Sequence, residues 1–446
     1  MFDKIVEIYK TGLRAADPAP VVRHMLRLHK NRLEVRTGRH HEISESYELG
    51  SKASVLVVGC GKAAASMAMA VEEVLGDRIR DGIVAVKYGC AQPLRRVRLI
   101  EGGHPWPDQN CVNAAAETQR LLSSVVPPDI VLALLSGGGS SLWTLPPPGV
   151  DLQDIIRLTG LLLESGANIS EINTLRKHIS RISGGFAAQW TYPTKVLVIA
   201  VSDVPGDSFE TIASGPFSPD ESTFADCLKI IEKYGIYSKI PVSVAEYFQS
   251  GINGIAPETP KIAGDFSFEN VDYLLAVTNK TALESCAAHA TAIGLKPLMQ
   301  ETFFTGEAAD AAYRFCLKIK EISQLIETGT NTCLISGGET TVTLGENYGK
   351  GGRNQEFALA AALEIEGNDS ITILACGTDG TDGPTDAAGA VVDGQSAGKM
   401  RKLGFDPADH LRCHNAYPAL DAAGCLIRTG PTCTNVMDVR IAVFNS

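Results

Sequence analysis

The sequence predicts an α/β protein of two domains, each built on a mostly parallel sheet, and three observations carry that reading. Short runs rich in leucine or β-branched residues alternate with longer Ala-rich segments beyond residue 50, the β-α rhythm of parallel sheets. Several runs are apolar at every position, as strands buried on both faces must be. At 446 residues the chain also exceeds the roughly 250–300 residues at which a single hydrophobic core stops growing.

The elements follow in order. Ile5, Val6, Tyr9 and Leu13 stand at helical spacing in 3–15, the segment ADPAP interrupts them, and a second helix is expected over 21–33. Strands are expected at 55–58, 83–87, 130–135, 196–201, 274–278, 332–335, 371–375 and 439–444. A polar stretch at 249–270, punctuated by Pro and Gly, lacks periodicity and marks a boundary. That places a first domain at 1–250 and a second at 270–446. A faint internal echo links them: LLSGGGSSL (134–142) and VSDVPGD (201–207) in the first, LISGGETTVTL (334–344) and GTDGTDGPTD (377–386) in the second. Two such modules would turn their loops toward one cleft, the expected active site.

Composition narrows the class. A net charge of −11 argues against nucleic acid or an anionic membrane as the main partner. The 43 glycines exceed the usual share of about 7%, and they fall in discrete clusters that mark special backbone turns. Eleven cysteines at irregular spacing read as free thiols in a reducing compartment. The N-terminus has no apolar signal core and no run of 18 apolar residues occurs anywhere, so a cytoplasmic protein is expected.

Seven segments carry candidate chemistry. Gly59-Cys60-Gly61-Lys62-Ala63-Ala64 follows a strand and opens a helix, a place where backbone N–H groups can meet an anion. It fits G-x-G-x-x-A, making the first domain Rossmann-like and raising a nicotinamide dehydrogenase as the rival. The next strand, however, ends in Lys87-Tyr88-Gly89 rather than in the acidic residue that would hold a ribose. Lys62 opposes the helix dipole, which favours a bound anion beside it. Ser136, Gly137, Gly138, Gly139 and Ser140 form a second small-residue turn suited to a phosphate or carboxylate, and Ser336, Gly337 and Gly338 repeat it in the second half. Arg176, within the basic run Arg176-Lys177-His178, could meet the same anion. Arg353, near a helix start in GGRNQE, is placed like Lys62. Asp203 beyond one apolar strand, with Asp379, Asp382 and Asp386 beyond another, offers carboxylates where an α/β sheet binds ligands and where Mg²⁺ needs one or two of them. The pairs His40-His41 and His410/His414 lack acidic or cysteine partners at metal-ligand spacing.

In that order GCGKAAASM, EGGHPWPDQN, LLSGGGSSL, INTLRKHIS, VSDVPGD, IASGP, ISGGETTVT, GGRNQE, GTDGTDGPTDAAGA and TGPTCTNVMD resemble the motifs of the glycerate 2-kinase family, with the segment from about 330 to 446 similar to its MOFRL domain. The resemblance implies ATP and Mg²⁺ as cofactors and phosphorylation of D-glycerate to 2-phosphoglycerate. It places the family's functional lysine on Lys62 and its functional arginine on Arg353. Asp203 joins them as a catalytic candidate; Asp203, Asp379 and Asp386 are the metal candidates, and the general base is open among these three and His178. Members have also been labelled NAD(P)H-dependent hydroxypyruvate reductases, the rival already raised by the glycine loop. The implied partners are D-glycerate and ATP, with a homodimer among the assemblies allowed.

Overall fold

The computed structural model describes residues 1–37, 42–263, 268–300, 303–327, 329–345 and 347–445, so His40 and His41 lie outside the described residues. Contacts divide the chain into two compact units, Pro18–Ala276 and Met1–Asp17 with Val277–Ser446. The helix Phe2–Ala15 belongs to the second of these. Its Ile5, Ile8 and Tyr9 are buried among Leu283, Cys286, Ile335 and Val439, and the Tyr9 hydroxyl donates to the Gly377 carbonyl at 2.7 Å. An apolar stripe at helical spacing announces burial without naming the partner, so a cut in chain order at 249–270 does not describe these units.

Pro18–Ala276 opens with the helix Pro18–Met25 and an antiparallel meander of β1 (Leu26–His29), β2 (Arg32–Thr37) and β3 (Glu42–Glu48). The meander replaces the second half of the helix expected over 21–33. Lys30, at φ 55°, turns the chain back, and Leu26, Leu33 and Val35 bury one face. Next comes a parallel sheet of β4 (Val55–Cys60), β5 (Ile79–Lys87), β6 (Arg98–Gly102), β7 (Ile130–Leu135), β8 (Lys195–Val201) and β9 (Val271–Val277), ordered β6-β5-β4-β7-β8-β9. Counted within this sheet, the order is third, second, first, fourth, fifth, sixth, that of dinucleotide-binding folds. β4 and β7 are buried at every position, which is why their sequences show no alternation.

The other unit holds β10 (Lys296–Met299), β11 (Asn331–Gly338), β12 (Ile371–Gly377), β13 (Gly389–Asp393), β14 (Leu426–Ile427) and β15 (Asp438–Asn445), ordered β10-β11-β15-β12-β13-β14. Only β10 and β11 pair in parallel; β15 runs opposite to both β11 and β12, and β13 opposes β12 and β14. The expectation of a mostly parallel second sheet is therefore corrected to a mixed one. A strand covered on both faces is apolar throughout in either direction, so composition does not encode its sense.

Nine cysteines carry free thiols, eight of them buried. Cys90 and Cys433 are not among these free thiols, against the expectation for all eleven. No described helix is long and apolar enough to cross a membrane.

Candidate active site

In the Pro18–Ala276 unit the strand order reverses between β4 and β7, the place where open α/β sheets leave a crevice beyond their carboxyl ends. Both glycine loops sit there and interlock. The Lys62 N–H donates to the Gly137 carbonyl at 2.9 Å and the Ser136 N–H to the Cys60 carbonyl at 3.0 Å. The Ala63 N–H donates to Ser136 Oγ at 3.0 Å. Gly61, at φ +120°, lies so close to Ser136 that a methyl group would overlap its Oγ and its carbonyl. The expected anion nest at Gly59 and Gly61 is thus corrected: the amides at the start of the helix Ala64–Leu75 serve the neighbouring loop. What the loop presents is Lys62 itself, only 7% exposed.

The turn after β7 is held by the same close packing. Gly138, at φ +84°, abuts the His104 ring, and Gly139 abuts Ala213 and Cys60. Ser140 Oγ lies 2.8 Å from Ser214 Oγ, which donates to Asn173 Oδ1 at 3.4 Å. Asn173 sits on the helix Ile169–His178 that also carries Arg176. Ser140 and Arg176 line one cavity of about 490 Å³ including its open mouth. Asp203 lies just past β8, half-buried. His178 is buried on the same helix: its Nδ1 is 2.9 Å from the Thr174 carbonyl, its Nε2 is 2.7 Å from Glu258, and its ring meets Phe224 edge-on. Those contacts hold it as a packing group and withdraw it as a base.

In the other unit Arg353 opens the helix Arg353–Glu364 and is gripped by acids. Its Nε and Nη2 donate to the two Asp438 oxygens at 2.8 and 2.9 Å, and Nη1 pairs with Glu339 at 2.8 Å. Burial alone would lower its pKa, but Asp438 and Glu339 outweigh that and raise it, so the charge is fixed. Asp438 also accepts from Asn354 Nδ2 at 3.0 Å and pairs with the wholly buried Arg440 at 3.3 Å. Asp382 receives the Asn354 and Gln355 amides at 3.1 and 2.8 Å, the carboxylate that answers the positive end of this helix. Burial pushes Asp382 up to about 6, against those two amide bonds. Asp379 joins the cluster: a Cβ at Gly377 would stand 3.3 Å from Asp379 Oδ1 and 3.5 Å from Asp438 Oδ1.

Two expectations in this unit are overturned. Ser336, Gly337 and Gly338 are not a loop but the end of β11, paired with β15; the Asn279 carboxamide fills the space beside Gly337 and the Phe304 backbone that beside Gly338. Asp386 is exposed, with its carboxylate held by Tyr417 Oη at 2.8 Å and Arg428 Nε at 2.9 Å, which removes it from the metal candidates. Among the described residues no three His, Cys, Asp or Glu side chains gather as a metal site. His410 and His414 instead bond the Asn415 carbonyl and Glu356 at 2.7 and 2.9 Å. Sequence reasoning missed Glu339, Asp438 and Arg440; the signal available was a lone arginine inside the apolar run DVRIAVF.

The chain's relatives bear on what this cluster does. The family described as a domain of unknown function (DUF4147) matches residues 4–249, and the MOFRL family matches residues 332–438. A glycerate 2-kinase of Pyrococcus horikoshii is 41% identical over 439 residues, covering 98% of this chain and 95% of that protein. A protein of Agrobacterium vitis provisionally called a hydroxypyruvate reductase is 41% identical over 387 residues, 86% of either chain. The crystal structure of a glycerate kinase from Thermotoga maritima superposes with a TM-score of 0.81 at 38% identity, covering 99% of each chain.

Proposed function

The chain belongs to the glycerate 2-kinase family, and on that premise we propose that it transfers the terminal phosphoryl group of ATP to the 2-hydroxyl of D-glycerate, releasing ADP and 2-phosphoglycerate. The observation that carries this reading is the buried side chain of Lys62 at the start of the helix Ala64–Leu75, at the switch point of a parallel sheet. The dipole there disfavours a cation by roughly 0.3–1 kcal/mol, and a polyphosphate reverses that sign.

Phosphoryl transfer asks the protein to position groups and neutralise charge. As the 2-hydroxyl oxygen bonds to the γ-phosphorus and the bond to ADP breaks, Lys62 and Arg353 stabilise the charge on the transferring group. The hydroxyl proton passes to a carboxylate, Asp203 or Asp379. Asp203 also suits Mg²⁺, which is bound through one or two carboxylates plus phosphate oxygens; the ion, when bound, screens the phosphate charge. The half-buried carboxylate at the carboxyl end of β8 is the feature that fits it.

The reductase reading is disfavoured by the glycine loop. In a dinucleotide site the second glycine lets the pyrophosphate approach the backbone, whereas here Ser136 occupies that space. The strand beside β4 also ends in Lys87, where a ribose-binding acid would be needed. The test is glycerate- and Mg²⁺-dependent ADP release, run beside hydroxypyruvate-dependent NADH oxidation. Lys62→Ala and Arg353→Ala should each lower kcat/KM more than about tenfold, equivalent to about 1.4 kcal/mol. Wild-type turnover in both variants, or NADH oxidation without ADP release, refutes the proposal.

A further inference from the structure

The cavity beside the Gly138–Ser140 turn holds a charge that no described residue pairs with. Arg176 lines it and makes no hydrogen bond or ion pair among the described residues. Its place in the last turn of the helix Ile169–His178 favours a cation through the dipole. The dipole does not explain why a long, flexible side chain stays within a cavity with no partner when water is within reach. Trp143 lines the same cavity, is 2% exposed, and its Nε1–H finds no acceptor. The Ser183 hydroxyl, also in the lining, accepts from Ser180 at 3.1 Å and keeps its own proton uncommitted. Three residues of the lining therefore carry donors with no acceptor, and such a lining suits a ligand rich in acceptors. Among the described residues Arg176 is the only charged one in the lining, and Trp106 and Ile179 give the cavity apolar walls. One cation with apolar walls matches a small monoanion rather than a polyphosphate, whose charge of about four calls for several cations or a metal.

We propose that this cavity is the acceptor subsite, in which Arg176 binds the carboxylate of the three-carbon hydroxy acid and Ser183 and Trp143 supply further donors. The name of the acid rests on the kinase reading. The class of ligand, a carboxylate suited to the planar fork of a guanidinium, does not. Ser140 links the cavity to the switch-point turn, so an acid seated there lies beside the loop that follows β7.

Two measurements on the full-length chain test this. In Arg176→Gln the KM for glycerate should rise at least about tenfold, as for loss of a charge-assisted hydrogen bond, while the KM for ATP stays within about twofold. In the wild type, glycerate should change the intrinsic tryptophan fluorescence and glycerol at the same concentration should not. The proposal is overturned by an unchanged KM for glycerate in folded Arg176→Gln, by a rise in the KM for ATP instead, or by fluorescence that treats glycerate and glycerol alike. Should Arg176→Gln not fold, the wild-type fluorescence decides. If glycerate alters the fluorescence while no ADP forms, the kinase reading fails and the subsite stands.

Discussion

Replacing Asp382 with Asn should change the pH dependence of stability in a direction fixed by burial. Asp382 is 2% exposed, and its pKa rises from 3.8 to about 6, chiefly through desolvation. A carboxyl raised in the folded state keeps its proton where the unfolded chain has lost it, so stability falls as pH climbs through that interval. The gap between 3.8 and about 6 amounts to about 3 kcal/mol of cost once both states are ionised. About half of that, roughly 1.4 kcal/mol, accrues between pH 5 and 7.5. For a unit of this size it corresponds to a fall in Tm on the order of 3–6 °C. Asn has no proton to lose, so the variant lacks this slope. It is less stable than wild type at pH 5, because its amide group faces one of the two backbone N–H donors, and it gains on wild type as pH rises. The assay is thermal unfolding of both proteins from pH 5 to 7.5. Parallel curves would refute the assignment of a raised, titrating carboxyl at this position.

Three further perturbations test the packing around the site. Gly61→Ala should cost more than about 2 kcal/mol in denaturant unfolding, because φ +120° and the contact with Ser136 leave no place for a methyl group; a neutral result would mean the loops do not interlock. Asp438→Asn should destabilise by about 3–5 kcal/mol, since Arg353 and the buried Arg440 both rely on that carboxylate, and a Tm within 2 °C of wild type (about 1 kcal/mol or less) would contradict it. Asp386→Ala should leave kcat within about threefold and stability within about 1 kcal/mol, as expected for an exposed carboxylate paired with Arg428; lost Mg²⁺ dependence in this variant would restore it to the metal site.

How much was legible depended on whether a residue's reason lay in its own neighbourhood. The eight expected strands all occur, because a run apolar on both faces is a local property of buried strands. Lys62 and Arg353 were visible as cations at helix starts, against the dipole. The partners that answer Arg353 were not. Glu339 follows β11 and Asp438 begins β15, and β15 reaches Arg353 only by inserting between β11 and β12. The glycines misled for the same reason: Gly61 and Gly337 read as room for a ligand, and each proves to be room for another part of the chain, Ser136 and Asn279. A glycine shows that something approaches closely without showing what.

The grip on Arg353 also sharpens what kind of group it must be. Asp438 takes the Nε and Nη2 edge as a fork, and Glu339 meets Nη1. A guanidinium has five N–H donors in one plane, so with these partners engaged, one N–H on each terminal nitrogen is left, aimed by the clamp rather than by a flexible stem. An ammonium could keep the charge but not the fork, and it would have to choose between Asp438 and an incoming phosphoryl oxygen. Arg353→Lys should therefore lose nearly as much kcat/KM as Arg353→Ala, more than about tenfold, although its charge is retained and its fold, read by Tm, stays closer to wild type. If lysine restored activity to within about threefold of wild type, charge alone would suffice, and the acidic clamp would be a stabilising pair with no part in presenting the guanidinium to a phosphate.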